Sequence, residues 1–451
     1  MGTGIYLYDS LRAEQVEVNP VKPGEVSIYY CGPTVYNYVH LGNVRPVVVF
    51  DVLTRVIKAK GLEPKVVSNY TDIDDKIIAE ALKEKKTEKE ISQFYIDAYE
   101  ACLAPLHLLP LFYHPRASET IQKMQDFIQV LLDRGYAYRS GDDVYFSVGK
   151  IADYGAISHI KVDENQAGKR VETLDTKRDP RDFALWKLTS DQGIKFPSPF
   201  GAGRPGWHTE CVTMIKTVFK QPVIDIHGGG FDLKFPHHEN ERAQSIGYDG
   251  TPLAHLWMYV GFLTAAKGEK MSKSLGNVVL AKDLLAQHSG NALRLFFYRS
   301  HYRAPIAYSE EAIEESEQTA SRYVATMRRL QARLALAGAP VDPDRKNEAA
   351  CAQALDFLCH DLNIANALTV VEGAVKTALT QLRSARTPLD QIAESAGTLS
   401  YLYNLLGIYT EPFKLTDDDK KLVAQYERAR QERDFATSDL LRPKLIERGL
   451  I

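Results

Sequence analysis

The sequence predicts an α/β fold, a doubly wound parallel sheet carrying an insertion, followed by an all-α helical bundle. Residues 26–31 (VSIYYC) form a short β-rich run that ends at the turn residues Gly32-Pro33. Residues 42–59 then carry apolar side chains at helical spacing before Gly61, and residues 65–69 (KVVSN) read as the next strand. That strand–helix–strand order is the unit of a parallel, Rossmann-like sheet. A second unit at 222–227 (PVIDIH), followed at once by Gly228-Gly229-Gly230, completes the sheet. After Tyr308 the composition turns to Ala, Leu, Glu and Arg with helical periodicity as far as Leu405, which predicts the bundle.

The remaining elements follow from composition. Residues 76–139 are mostly helical in pattern, whereas 144–148, 153–158 and the polar run 161–181 predict an irregular insertion with short strands. Gly and Pro residues within 337–346 predict a loop inside the bundle. The last 37 residues hold eight acidic and eight basic side chains, an amphipathic, solvated piece whose shape the composition leaves open. The expected division is 1–115 for the first half of the sheet domain and 116–200 for a connective insertion. It continues with 201–260 for the second half, 261–315 for a loop-bearing region, 316–410 for the bundle and 411–451 for a small terminal segment. A chain of 451 residues exceeds what one core usually supports.

Several function classes are excluded at this level. No apolar run approaches the roughly 18–20 residues that span a bilayer, and residues 1–15 lack the apolar stretch of a secretion signal. A cytoplasmic location, with no membrane partner, is expected. The five cysteines (Cys31, Cys102, Cys211, Cys351, Cys359) are too scattered for a disulfide framework, and none forms a C-x-x-C pair. The net charge of −3 neither indicates nor excludes a local nucleic-acid surface.

Two motifs suit phosphate chemistry. His40-Leu41-Gly42-Asn43 follows the first strand and opens the first helix. Glycine permits close backbone approach, and a helix N-terminus offers free N–H groups and a positive dipole end. Lys270-Met271-Ser272-Lys273-Ser274, flanked by Gly268 and Gly276, presents two ammonium groups suited to charge developing on phosphates. Each has a plainer reading, as a surface His beside a turn and as a solvated basic loop. In this order, about 230 residues apart, they resemble the paired signatures of class I aminoacyl-tRNA synthetases.

A third set has metal-ligand character. His237 and Glu241 stand at i and i+4 in Pro236-His237-His238-Glu239-Asn240-Glu241, and on a helix they share one face. His238, on the same helix, is expected to point elsewhere. With Cys31 and Cys211 these residues fit zinc, although from the residues alone a solvated helix face and two inert core cysteines read equally well.

The runs CGPTVYNYVHLGN (31–43), TDIDDK (71–76), GWHTEC (206–211), DIHGGGFDLKFPHHENE (225–241) and KMSKS (270–274) resemble, in order, the signatures of cysteinyl-tRNA synthetases. The resemblance implies one zinc ion per chain on Cys31, Cys211, His237 and Glu241. It implies His40, Lys270 and Lys273 as catalytic groups. Gly32, Thr34 and Thr71 would line the substrate pocket, and Trp207 would wall it. His227 would sit near the metal or the adenylate, Gly42 and Asn43 at the phosphates, and Gly229 and Asp232 at the ribose. Asn43 replaces the second histidine of the class signature, which removes any proton-transfer role there but leaves an amide that can donate.

The implied substrates are L-cysteine, ATP with its Mg²⁺, and tRNA(Cys), handled by a monomer. Cysteine and serine differ by one atom, and an apolar pocket separates such near-isosteres by only about 10²-fold. Zinc prefers a thiolate, so no large editing domain is expected in the insertion. The segment 261–315 would contact the tRNA stem and the bundle its anticodon, with Asp361–Ala367 (DLNIANA) resembling a family bundle signature. Family members usually continue past the stretch matching residues 447–451 with a Trp-containing tail, so either the sequence is shortened there or this chain reads the anticodon with less help. Three rival readings carry different predictions: a cysteine ligase of the mycothiol pathway acting on an amino sugar, a non-catalytic paralogue, and a small-molecule nucleotidyltransferase. The long helical region disfavours the first, the intact motif residues the second, and the zinc set the third.

Overall fold

A computed structural model describes residues 2–160, 177–189, 191–264, 278–384 and 386–450. Lys270, Lys273 and most of the polar run 161–181 lie outside the described residues. The chain opens with a hairpin, β1 (Tyr6–Asp9) and β2 (Glu14–Glu17), then enters β3 (Glu25–Tyr30), α1 (Leu41–Ala59) and β4 (Glu63–Ser68). Helices α2 (Asp75–Glu84), α3 (Glu88–Leu103) and α4 (Ile121–Asp133) lead to β5 (Ala137–Ser140), β6 (Asp143–Phe146), β7 (Phe183–Leu188) and β8 (Gly203–Pro205). Helix α5 (Trp207–Phe219), β9 (Ile224–Gly230), α6 (Glu239–Asp249) and β10 (Ala254–Val260) follow.

Strands β10, β9, β3 and β4 lie side by side in that order, every pair parallel. From β3 the chain moves outward through α1 to β4, then returns to place β9 on the other side of β3. The winding therefore reverses between β3 and β9, and the crevice beyond their carboxyl ends is where such sheets bind ligands. Cys31 and Gly228–Gly230 stand at that point. The insertion contains a separate antiparallel sheet, ordered β5-β6-β7-β8, rather than irregular strands. Its neighbouring turn docks on α6: Glu239 accepts the Ile157 and Ser158 N–H groups, each at 3.1 Å, and Arg242 pairs with Asp153.

Helix α1 is buried over every residue from Val44 to Ile57. A helix apolar all round has no solvated face, so its Val-rich composition is no obstacle to the helical state: packing overrides the β preference of branched residues. Its charged groups are then obliged to find partners. Asp51 accepts from Arg55 (2.8 Å), from Arg294 (2.6 Å) and from the Leu109 N–H (2.7 Å).

Beyond β10 come β11 (Leu263–Thr264), α7 (Ala281–Leu285), α8 (Gly290–Tyr298) and β12 (Ile306–Ala307). The bundle is α9 (Glu310–Leu336), α10 (Glu348–Cys359), α11 (Ile364–Leu382) and α12 (Leu389–Leu406). The terminal segment, whose shape the composition left open, is a helical hairpin, α13 (Asp417–Gln431) and α14 (Phe435–Glu447). Thr416 caps α13 in a reciprocal box with Asp419, and Asp434 caps α14, which decides helix over coil for so charged a stretch. Among the described residues no helix is long and apolar enough to cross a membrane.

Asp51→Ala leaves the buried guanidiniums of Arg55 and Arg294 without their carboxylate. The expected loss is about 3–5 kcal/mol, seen as a lower urea midpoint; an unchanged midpoint would contradict this role.

Candidate active site

A cleft of about 320 Å³ opens where the sheet reverses, lined among others by Cys31, Gly32, Thr34, His40, Gly42, Asn43, Thr71, Trp207, Cys211, Asp232 and His237. They come from several separate parts of the fold. Cys31 and Gly32 leave β3, His40 to Asn43 start α1, Trp207 and Cys211 lie on the first turns of α5, and Asp232 follows β9.

Local packing explains several identities. A Cβ on Gly32 would collide with the Asn69 carbonyl oxygen, and one on Gly42 would sit 2.9 Å from the His40 ring. Glycine therefore lets β4 close against the β3 exit and lets His40 fold back over its helix. The Asn43 side-chain oxygen accepts the His40 N–H at 3.2 Å, which orients the amide NH₂ as the remaining donor. Asn69 was not singled out by the sequence, yet it organises the cleft wall. Its oxygen accepts the Gly32 N–H at 3.0 Å and its NH₂ donates to the Thr71 hydroxyl at 3.1 Å. Thr34 and Thr71 face each other across a parallel bridge.

The cleft floor is a cluster of metal-binding side chains. One donor atom each from Cys31, Cys211, His237 and Glu241 lies within 4.8 Å of the others. The thiols are 3.7 Å apart, and His237 Nε2 is 2.7 Å from Glu241 Oε1. Tetrahedral zinc with bonds of about 2.3 Å to sulfur requires an S···S edge of about 3.8 Å, so the thiols already have the spacing. A second, overlapping set is Cys31, His227, His238 and Glu241. His238 does not point away as expected: its Nε2 is 3.3 Å from Cys31 Sγ, and its Nδ1 is 2.8 Å from the Tyr259 hydroxyl. Residues 234–238 form an irregular turn broken at Phe235 rather than part of α6. Strand β3 delivers Cys31 across that turn, within reach of the His238 ring.

The two sets differ in what they face. Cys31, Cys211 and His237 line the cleft, while His227 and His238 lie behind it. His227 is fully buried; its Nδ1–H donates to the Tyr29 carbonyl at 2.9 Å, leaving Nε2 at 2.5 Å from Glu241 Oε2. It thus stands beside the metal-binding cluster, as the resemblance implies, and braces Glu241 from below. Gly229 also lies just off the lining, whereas Gly230 and Asp232 are on it. Trp207 is 39% exposed and stacks on His237 with ring centres 4.2 Å apart.

The electrostatics suit a dication. Burial opposes ionisation of Glu241, but His237 and His227 outweigh it and hold the carboxyl well below its usual range. Burial likewise opposes the His237 charge, yet Glu241 and Cys211 raise it to about 10. The hydrogen bond from Cys31 pulls the Cys211 thiol down to about 6, while burial pushes Cys31 up. Two anionic donors are thus held out of water, a combination that a divalent cation compensates better than protons do.

Comparisons with known proteins show the family and the fold. The model of the class I (C) tRNA synthetase catalytic domain matches residues 17–318, so the fold and cleft are those of a class I aminoacyl-tRNA synthetase. Solved structures agree at the level of fold. Mycobacterium tuberculosis methionyl-tRNA synthetase bound by methionyl-adenylate superposes with a TM-score of 0.62 at 16% identity, over 92% of this chain and 96% of that one. A ternary complex of LeuRS with tRNA and LeuAMS from Agrobacterium radiobacter K84 gives 0.59 at 11% identity, over 89% and 88%. Among curated proteins, the cysteine--tRNA ligase of Brevibacillus brevis is 40% identical over 456 residues, 99% of this chain and 97% of that one. That of Geobacillus thermodenitrificans is 39% identical over 454 residues, 100% and 97%. The chain belongs to the cysteine--tRNA ligase family, whose members are ligases forming aminoacyl-tRNA.

The two donor sets separate by mutation. Cys211→Ala is expected to abolish stoichiometric zinc by elemental analysis. His238→Phe is expected to keep one ion with affinity lowered about 10–100-fold, as for a residue that orients ligands. The reverse pattern would assign the metal to the buried set.

Proposed function

We propose that the chain activates L-cysteine with ATP, releasing pyrophosphate, and transfers the cysteinyl group to the 3′-terminal adenosine of tRNA(Cys). The observation that carries this reading is the pair of thiols, an imidazole and a carboxylate at the floor of a nucleotide-type crevice. Zinc held by Cys31, Cys211, His237 and Glu241 would supply a soft Lewis acid that prefers a substrate thiolate to the serine hydroxyl.

The protein groups have separable roles in this reading. Trp207 and the Gly32–Thr71 wall confine a small side chain above the ligands. Adenylate formation joins the cysteine carboxylate oxygen to the α-phosphorus as the bond to the β,γ-diphosphate breaks, a step that needs placement and charge stabilisation more than a base. His40 and the Asn43 amide, at the N-terminus of α1, face the cleft where the phosphates of ATP and its Mg²⁺ would lie. Lys270 and Lys273 are assigned to the charge that builds on the leaving pyrophosphate. Asp232, also on the cleft lining, would accept from the ribose hydroxyls.

The test is cysteine-dependent ATP–pyrophosphate exchange followed by charging of tRNA(Cys). Exchange is expected with cysteine and not with serine, and it should disappear on chelation. Lys273→Ala should lower it by about 10²–10³-fold with zinc content and melting temperature unchanged. No exchange in the folded, zinc-loaded protein would contradict the function; normal exchange in Lys273→Ala would contradict that residue's role. Charging of an amino sugar instead of tRNA would move the reading to a small-molecule cysteine ligase.

A further inference from the structure

Arg45, two residues beyond Asn43, is 0% exposed and makes no ion pair among the described residues. It is spent on backbone carbonyls: Gly261 at 2.8 Å, Ala304 at 2.8 Å, His301 at 3.1 Å and Phe262 at 3.4 Å. Burial pulls its pKa down to about 10, so it remains a guanidinium at neutral pH. A buried cation costs free energy unless its bonds are made, and these four fix two chain segments against α1.

Those segments bracket the lysine motif in sequence. On one side, 261–264 is zipped to 302–308: Gly261 N–H donates to Tyr302 O at 2.8 Å, Ile306 N–H to Phe262 O at 3.0 Å, and Tyr308 N–H to Thr264 O at 2.9 Å. A Cβ on Gly261 would collide with the Ala304 carbonyl, so the approach is as close as a backbone allows. On the other side, Leu41 N–H donates to Val279 O and Ala281 N–H to Val39 O, each at 3.1 Å. Both anchors of residues 265–277 therefore belong to the first turns of α1. The bundle reaches the same junction through Asp361, which accepts from the Tyr302 hydroxyl at 2.5 Å and from Arg303 Nε at 2.9 Å.

We propose that Arg45 is a positioning residue for adenylate formation: it fixes β11, the strand immediately preceding Lys270 and Lys273 in the chain, relative to His40 and Asn43 on its own helix. It touches no substrate; it holds residues 261–262, upstream of the lysine motif in the chain, against the helix that carries His40 and Asn43. The inference rests on the adenylate-forming reading above. Lysine cannot replace it, because a point ammonium lacks the planar fork that spans four carbonyls.

Arg45→Lys and Arg45→Met separate positioning from general support. A displacement of about 1 Å costs on the order of 10²-fold in rate. Arg45→Met is therefore expected to lower kcat for pyrophosphate exchange by about that factor, and Arg45→Lys by a smaller one. The cysteine KM should stay within about twofold of wild type and the zinc content at one, because neither depends on β11. Wild-type kcat in folded Arg45→Lys would overturn the proposal. So would a cysteine KM or zinc content that falls away in parallel with kcat, the sign of a disturbed cleft. Should Arg45→Met fail to fold, the kcat of Arg45→Lys decides alone. Absence of exchange in the wild type would instead overturn the functional reading on which the inference rests.

Discussion

Burying α1 on every side is the constraint from which the rest of the structure follows. A helix with no solvated face can keep charged residues only where other elements satisfy them. Asp51, Arg55 and Arg294 meet in one buried cluster, and Arg55 also donates to Asn404 O at 3.0 Å and His107 O at 2.9 Å. Arg294 donates to Leu106 O at 2.9 Å and Leu406 O at 3.3 Å. The partners thus lie just beyond α3, in the middle of α8 and at the end of α12, so one helix sets the sheet, the loop after α3 and the bundle in a common frame. Such charged groups are costly to bury and costlier to orphan. The same helix begins at His40, which places the phosphate-facing end of the cleft in that frame.

The metal-binding cluster follows a similar logic at smaller scale. Its donors arrive from the end of β3, from α5, from the turn 234–238 and from α6, which meet only because β9 returns beside β3. Glu241 is held on one oxygen by His227 and on the other by His237, so its orientation is fixed before any ion binds. Such bracing of a ligand by outer groups is what tunes a metal site. The outward ligands are the two thiols and His237, leaving the cleft side as the direction from which a small thiol can approach.

The sequence was most legible where one periodicity dominates. Strand β3, helix α1 and strand β4 fall within a few residues of expectation, and the bundle lies where its composition placed it, with a loop between α9 and α10 at the expected 337–346, because these stretches are long enough or apolar enough to show their repeat. The insertion's sheet was hidden because β5, β6 and β8 are three or four residues long, too short for alternation to register. Helices α13 and α14 were hidden by their charge, although Thr416 with Asp419 was a readable cap. In the cleft, Cys31, Cys211, His237 and Glu241 were found by resemblance and converge in space. Asn69 and His238 were missed or misdirected because their roles depend on tertiary neighbours: a β3 exit for one, an irregular turn before α6 for the other. Spacing along an ideal helix cannot anticipate that turn.

The most direct measurement is zinc K-edge X-ray absorption on the zinc-loaded protein, with and without saturating L-cysteine. Two sulfur scatterers from Cys31 and Cys211 are expected at about 2.3 Å, rising to three with cysteine and staying at two with serine. A sulfur count that does not change on adding cysteine would contradict selection of the substrate through its thiolate.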